Sequence, residues 1–244
     1  MRFTHRHVLM LTILSLLVFP AALAGTPRHY PRGAQGGPEF ANEFRLRLGM
    51  FTPEGDSNFW DDTHDVFTGS VDDFEDTTFA ADFLLRRSER LGVMFSLGYF
   101  DGDSRQHYRD FVDDLGNEIV HHSELQIMPA TIALVGHLAG PQATLRPYVG
   151  AGAGFYWWDY REGGDFIDFE FEEVVNTSFE SDGIAFGYFL LAGVDVPIQP
   201  NWSVFIEGRW TKVDDDLADD FEDSSATEID LSGTEVSAGV SFRF

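Results

Sequence analysis

Apolar and non-apolar residues alternate with period two along most of this chain, the signature of strands whose successive side chains point to opposite faces. The pattern is cleanest from Glu43 to Thr52, where Phe44, Leu46, Leu48 and Met50 interleave with Arg45, Arg47, Gly49 and Phe51. It returns from Thr78 to Arg87, where Phe79, Ala81, Phe83 and Leu85 oppose Ala80, Asp82, Leu84 and Arg86, and from Val93 to Phe100. Glu124 to Leu138 is less regular, because Pro129 has no ladder donor, and the spacing predicts an irregular or bulged strand there. Gly183–Val196, Trp202–Val213 and Val236–Phe244 complete the set with Leu145–Tyr160, LRPYVGAGAGFYWWDY.

That last stretch has two unlike faces. Val149, Ala151, Ala153, Phe155 and Trp157 lie on one parity, with Tyr148, Gly150, Gly152, Gly154, Tyr156 and Trp158 on the other. Three glycines at alternate positions would each cost a helix about 1 kcal/mol relative to alanine. In a strand they leave room where a closed sheet crowds inward. The aromatic cluster at one end suits a lipid headgroup level.

The eight segments are joined by connections that alternate in length. RSER, AGPQAT and PIQPN are short, whereas Pro53–Thr77, Asp101–Ser123, Arg161–Asp182 and Asp214–Thr227 are long. Short turns on one side and long loops on the other, with an even strand number, are the pattern of outer-membrane barrels. No segment after the first 24 residues has the ~18 to 20 uninterrupted apolar residues a spanning helix requires. A membrane crossing therefore needs strands, and a closed barrel, since lipid offers no partner to a sheet edge. The predicted fold is all-β, an eight-stranded antiparallel up-and-down transmembrane β-barrel over residues 43–244.

The start of the chain changes the picture of where this barrel resides. Arg2, His5, Arg6 and His7 precede the apolar run VLMLTILSLLVF and the small residues Ala22-Leu23-Ala24, the order of a secretory signal peptide over residues 1–24. Residues 25–42, rich in glycine and proline, are expected to form a flexible periplasmic arm. Loss of Arg2 and Arg6 takes the formal charge from −25 to −27. Most of the acid falls in the loops, with Asp61, Asp62, Asp65, Asp72, Asp73, Glu75 and Asp76 in the first and Asp214–Asp216, Asp219, Asp220, Glu222 and Asp223 in the last. Such an anionic crown excludes nucleic acid as a partner. Divalent cations that bridge it to lipopolysaccharide fit hard oxygen ligands, although no loop has the spaced calcium-loop pattern. With no cysteine, disulfides and thiolate metal sites are absent.

Residues IMPATIALVGHL at 127–138 and RPYVGAGAGFYWW at 146–158, with EFRLRLGMFTPEG near the start and GVSFRF at the close, resemble the OmpW-type branch of small eight-stranded outer-membrane proteins, relatives of OmpA- and OmpX-type barrels. The resemblance implies localisation in the outer membrane of a two-membraned bacterium, periplasmic termini, extracellular long loops, and passage of small hydrophobic molecules. It also implies that Phe242 and Phe244 act as the insertion signal read by the outer-membrane assembly machinery.

The parity opposite the apolar face carries Arg45, Arg47, Asp82, Asp195, Glu207, Arg209 and Arg243, which departs from the hydrophobic lumen of the OmpW type. An eight-stranded barrel is only wide enough for its own side chains, so these charges must pair, with Arg45 and Arg47 reaching Glu207 and Arg47 reaching Asp82. Two functions follow: a narrow channel or facilitator for small molecules whose ion pairs gate it, or a non-conducting structural or surface-interaction barrel with a salt-bridged lumen. A soluble lipocalin-like barrel would instead turn the charged parity outward. His121, His122, Ser123 and Glu124 form neither a metal site nor a triad, because adjacent strand residues point oppositely. No enzyme, cofactor or metal is expected.

Overall fold

The computed structural model describes residues 41–113, 115–168, 173–217 and 228–244. The expected signal peptide and all but two residues of the expected arm lie outside them. Among the described residues nine strands follow in order: β1 (Glu43–Pro53), β2 (Asp76–Arg86), β3 (Leu91–Val112), β4 (Glu118–His137), β5 (Arg146–Asp168), β6 (Glu173–Pro197), β7 (Trp202–Asp216), β8 (Glu228–Asp230) and β9 (Gly233–Arg243). Between β1 and β2 stand helix α1 (Asn58–Val66) and a 3-10 turn (Val71–Phe74).

Every pairing is antiparallel, and the pairings return on themselves. Each strand from β1 to β7 pairs with the next, β7 pairs with β9, and β9 pairs with β1, so eight strands form a closed ring. β8 is a short addition to the edge of β7, Asp214–Asp216 pairing with Glu228–Asp230. Closure leaves no edge to lipid, which is what makes a sheet tolerable in a bilayer.

The apolar parity points outward. Leu48 (60% exposed), Phe155, Ile184, Phe186 and Ile206 stand on the outer face, while Arg45, Arg47, Asp82 and Glu207 on the opposite parity are buried. The lipocalin-like alternative fails on this point, because an aqueous exterior would have to accept the aliphatic face and an apolar interior the arginines.

Two expectations are corrected. The pairing of β4 with β3 lapses beside Pro129, as the irregular alternative has it, but the register across it is unchanged, Leu97 opposite Ala130 and Phe100 opposite Ile127, so the bulged alternative fails. Gly98 explains why: a Cβ there would stand 2.9 Å from Pro129 Cγ, and its absence lets the ring sit within the sheet. The register shift of β3 with β4 lies farther along, between His107 and Val112. The expected long loops Asp101–Ser123 and Arg161–Asp182 are mostly ladder, since β3 runs to Val112, β4 starts at Glu118, and β5 and β6 stay paired out to Asp168 and Glu173. Beyond the lipid band the outer face becomes charged, as at Asp103 and Arg105, and the inner face polar, as at Ser104 and Gln106. Alternation persists there without its hydrophobic label.

Strand lengths give the barrel a tall side and a low side. β3 to β6 have 20 to 25 residues, and β1, β2 and β9 have 11. On the low side α1 and the 3-10 turn fold inward over the interior. Phe59 and Trp60 from α1 and Phe74 from the turn pack with Tyr160, Trp158, Leu125 and Leu231 as a buried cluster.

Candidate functional site

The interior is filled in layers from the short-turn end to the hairpin end. Nearest the short turns, Glu43 Oε1 accepts from Arg86 Nη2 at 2.6 Å and Arg243 Nε at 3.1 Å, and Asp195 Oδ2 pairs with Arg146 Nη2 at 2.6 Å and Arg243 Nη2 at 3.2 Å. Ser203 Oγ accepts from both Arg146 and Arg243, and Arg86 lies against the His137 ring at 3.2 Å. These residues come from β1, β2, β4, β5, β6, β7 and β9, so the layer spans the lumen.

Above it, Leu84, Met94, Ala133, Val135, Tyr148, Phe189 and Leu191 form a buried apolar layer. The β5 glycines make this possible. A Cβ on Gly152 would stand 2.5 Å from Phe189 Cζ, and one on Gly150 would stand 3.1 Å from Leu191 Cδ1. The large β6 side chains fill space that the β5 glycines leave.

The next layer is ionic again. Arg45 Nη2 donates to the Tyr148 hydroxyl at 2.6 Å, that hydroxyl donates to Glu207 Oε2 at 2.9 Å, and Arg45 itself stands 3.5 Å from the same oxygen. Arg209 Nη2 holds the other Glu207 oxygen at 3.2 Å. The two guanidiniums rest on aromatic faces, Arg45 3.8 Å from the Phe205 centroid and Arg209 4.4 Å from that of Phe189. Arg47 pairs with Asp82 at 3.5 Å and with Glu235, while Ser96 donates to Asp82 at 2.6 Å. An isolated buried charge would cost several kcal/mol, and these compensate one another.

Of the residues singled out in the sequence, Arg45, Arg47, Asp82, Glu207 and Arg209 are brought together in this upper ionic layer. Asp195 and Arg243 stand apart from them in the lower one. Sequence reasoning missed Glu43, Arg86, Arg146, His137, Tyr148 and Glu235. Glu43 and Arg86 share the charged parity of Arg45 and Asp82, and Glu235 falls one residue before the strand predicted to start at Val236, so parity extended by one step would have found them. Phe242 lies outside, against Trp202 at 5.0 Å, where with Phe44, Leu46 and Val240 it lines an apolar hollow of about 260 Å³. Phe244 is 44% exposed.

The plug above the ionic layer is latched by Asp230. Its backbone oxygen accepts from Trp60 Nε1 at 2.9 Å, its Oδ2 from the Asp56 N–H at 3.0 Å, and its Oδ1 from the Ser232 N–H at 2.9 Å and Lys212 Nζ at 3.3 Å. Burial opposes ionisation of Asp230, but these donors hold its carboxyl below the usual carboxylate range.

Toward the hairpin end a polar belt crosses β3, β4 and β5. Ser104 faces Ser123, which faces Glu162; one step farther, Gln106 faces His121, which faces Gly164. All five side chains are buried, whereas His122 is exposed on the outer face. A serine, a histidine and a carboxylate thus share one inner face, because the ladder continues past Tyr160 and places Glu162 directly opposite Ser123. They do not form a relay. Glu162 takes its hydrogen bond from the Tyr160 hydroxyl at 2.5 Å, and neither His121 ring nitrogen has a partner among the described residues. Among those residues no group of three His, Cys, Asp or Glu is placed to hold a metal ion.

With the ring, the outward apolar belt and the filled lumen described, comparison with known proteins gives the family. Residues 12–244 match the model of the outer membrane protein beta-barrel domain. The chain belongs to that family. Among solved structures it is similar to the outer membrane protein AlkL in lipid bilayers, with 20% identity, 90% of this chain and 97% of that one covered, and a TM-score of 0.48. It is also similar to outer membrane protein W of E. coli (19%, 84% and 98%, TM-score 0.39) and to Neisserial surface protein A (13%, 84% and 100%, TM-score 0.44). A sequence comparison with curated proteins finds no match.

Proposed function

We propose that this barrel does not conduct through its lumen and acts at the outer surface, with its termini and short turns in the periplasm and its tall β3–β6 wall outside the cell. The observation that carries the reading is the interior itself. Two ion-paired layers, an apolar layer between them and the α1 plug stand in series, and every guanidinium in the layers has a carboxylate within 3.5 Å. Single-channel recording of the refolded mature protein in a planar bilayer tests it. Silence from protein shown to be inserted is expected, and reproducible open steps would overturn it.

Orientation has its own test, because the chain lacks cysteine. Leu115→Cys, at an 86% exposed hairpin tip, should react with an impermeant maleimide on intact cells, and Gln199→Cys in a short turn should react only after the outer membrane is opened. The reverse would invert the assignment. At the outer surface, the acidic residues fit a cation-bridged contact with lipopolysaccharide. Binding that is equally strong with and without a chelator would remove that contact.

A second reading, a facilitator that releases small apolar molecules sideways, is favoured by one feature. The β6–β7 ladder begins at Gly187 opposite Val213, although β6 extends up to Glu173 and β7 to Asp216. Above that pair no β6–β7 ladder forms among the described residues. Alkane uptake by cells that express a protein silent in bilayers would select this reading.

A further inference from the structure

We propose that the polar belt at the hairpin end is a binding site for a small uncharged molecule with a hydroxyl on an apolar body, an alcohol or phenol in chemical class. The inference goes beyond the proposed function, since the belt lies above the ionic layers and binding there is independent of whether the lumen conducts.

The first ground is unmet hydrogen-bonding capacity. Gln106 and His121 are both 0% exposed, and Gln106 Oε1 and both His121 ring nitrogens have no hydrogen-bond partner among the described residues. A buried polar group left unpaired costs free energy, and several side by side are rarely kept in a native fold. The protein meets the neighbouring needs itself: Gln106 Nε2 donates to Ser104 Oγ at 3.3 Å, and Glu162 is held by Tyr160. What remains is one acceptor on Gln106, one donor with one acceptor on a neutral imidazole, and the Ser123 hydroxyl beside it. A single hydroxyl meets two of these needs at once, accepting from the His121 N–H and donating to Gln106 Oε1.

The second ground is the wall around these groups. The His121 ring stands 4.1 Å from the Phe67 centroid and 5.2 Å from that of Phe166, and Phe67 stands 4.7 Å from Tyr108. A fully polar guest would leave these rings unused, and a fully apolar one would leave the polar atoms unmet. Charge is also excluded. The interior belt holds one full charge at most, Glu162, which repels an anion and is already engaged.

The third ground is a means of entry. Above the last β2–β3 pair, Thr78 with Phe100, the edge of β3 is covered by the loop that carries Phe67 and Gly69. Among the described residues that loop is held by the Phe67–Tyr108 bridge and by Thr68, whose N–H donates to the His107 carbonyl at 2.8 Å and whose Oγ1 accepts from the His107 N–H at 3.1 Å. Gly69, at φ +103°, turns directly over the Gln106 side chain. Displacing this loop would take Gly69 off Gln106 and Phe67 off His121.

The test uses mature protein with 15N-labelled histidine in lipid nanodiscs, with phenol as the probe and benzene as the same body without its hydroxyl. The His121 ring signal, assigned by its absence in His121→Phe, should shift saturably with phenol and not with benzene. Gln106→Leu should weaken the phenol response at least tenfold. A shift that rises linearly without saturation, equals that with benzene, or survives Gln106→Leu unchanged would overturn the proposal and leave the belt to bound water. The phenol and benzene comparison needs no variant, so it decides the matter even where Gln106→Leu does not fold.

Discussion

Glu207 holds two arginines and a tyrosine hydroxyl on its two oxygens, with no exposure to solvent. Glu207→Gln removes the charge that Arg45 and Arg209 share, and breaking a buried pair in this way costs about 3–5 kcal/mol. The urea midpoint of the refolded barrel should fall accordingly. Adding Arg209→Gln should recover part of the loss, because the second change removes the charge left unpaired; strictly additive losses would show that the two do not interact. His121 gives a prediction in pH. Burial first, then the His122 and His107 charges, push its pKa down from 6.5 to about 4. A folded pKa below the unfolded one means that the unfolded state takes up protons first, so stability present above about pH 6.5 is lost as pH falls toward about 4. Glu162 acts in the opposite sense, since burial raises its carboxyl and its protonated form suits the fold. Amide protection factors at residues 104–108 and 121–123, taken relative to the intrinsic exchange rate, should fall between pH 7 and 4, and His121→Phe should flatten that dependence; an equal fall in the variant would assign the effect elsewhere.

At the scale of elements, β5 and β6 act as one unit, the glycines of one strand receiving the rings of the other. Gly152→Val should destabilise the barrel by about 1–3 kcal/mol through overpacking, read as a lower folded fraction by gel mobility, and Phe189→Ala should rescue part of it by clearing the space. Helix α1 depends on Asp230 rather than on its own cap, for Ser57 makes no side-chain capping bond. Asp230→Ala should therefore expose residues 54–75 to protease while the barrel stays folded; unchanged cleavage would show that the aromatic cluster alone holds the plug. The eight ring strands were legible in the sequence because lipid demands an apolar outer parity. The upper reaches of β3 to β6 were not, since beyond the lipid both faces carry polar residues and the pattern resembles a loop. The lower ionic layer was half legible: Asp195 and Arg243 stand out on their strands, but His137 and Arg146 lie where β4 and β5 have no clean polar parity. The plug was invisible, because Trp60 and Phe74 sit in an acidic segment whose burial depends on contacts with Tyr160 and Asp230, which are distant in the sequence.

For the whole molecule, the consequence of layering is that obstructions in series do not open one at a time. The α1 plug closes the hairpin end, Glu207 and Glu235 with their arginines close the middle, and Glu43 and Asp195 with theirs close the short-turn end. Replacing residues 56–74 by a short glycine-serine linker removes the first without touching the other two, since Arg45, Arg47, Arg86, Arg146, Arg209 and Arg243 draw their carboxylates from the barrel wall alone. The shortened protein should therefore remain silent in a planar bilayer, while its Tyr160 and Trp158, now uncovered, become quenchable by acrylamide. Steady current from it would mean that ions thread the paired layers and that the plug is the gate, which restores the channel reading. Silence from the shortened protein, combined with steps when Glu207→Gln and Asp195→Asn are added, would place the barrier in the ion pairs. The charged inner parity would then be the structural closure of the barrel, and its outward function would rest on the tall wall above it.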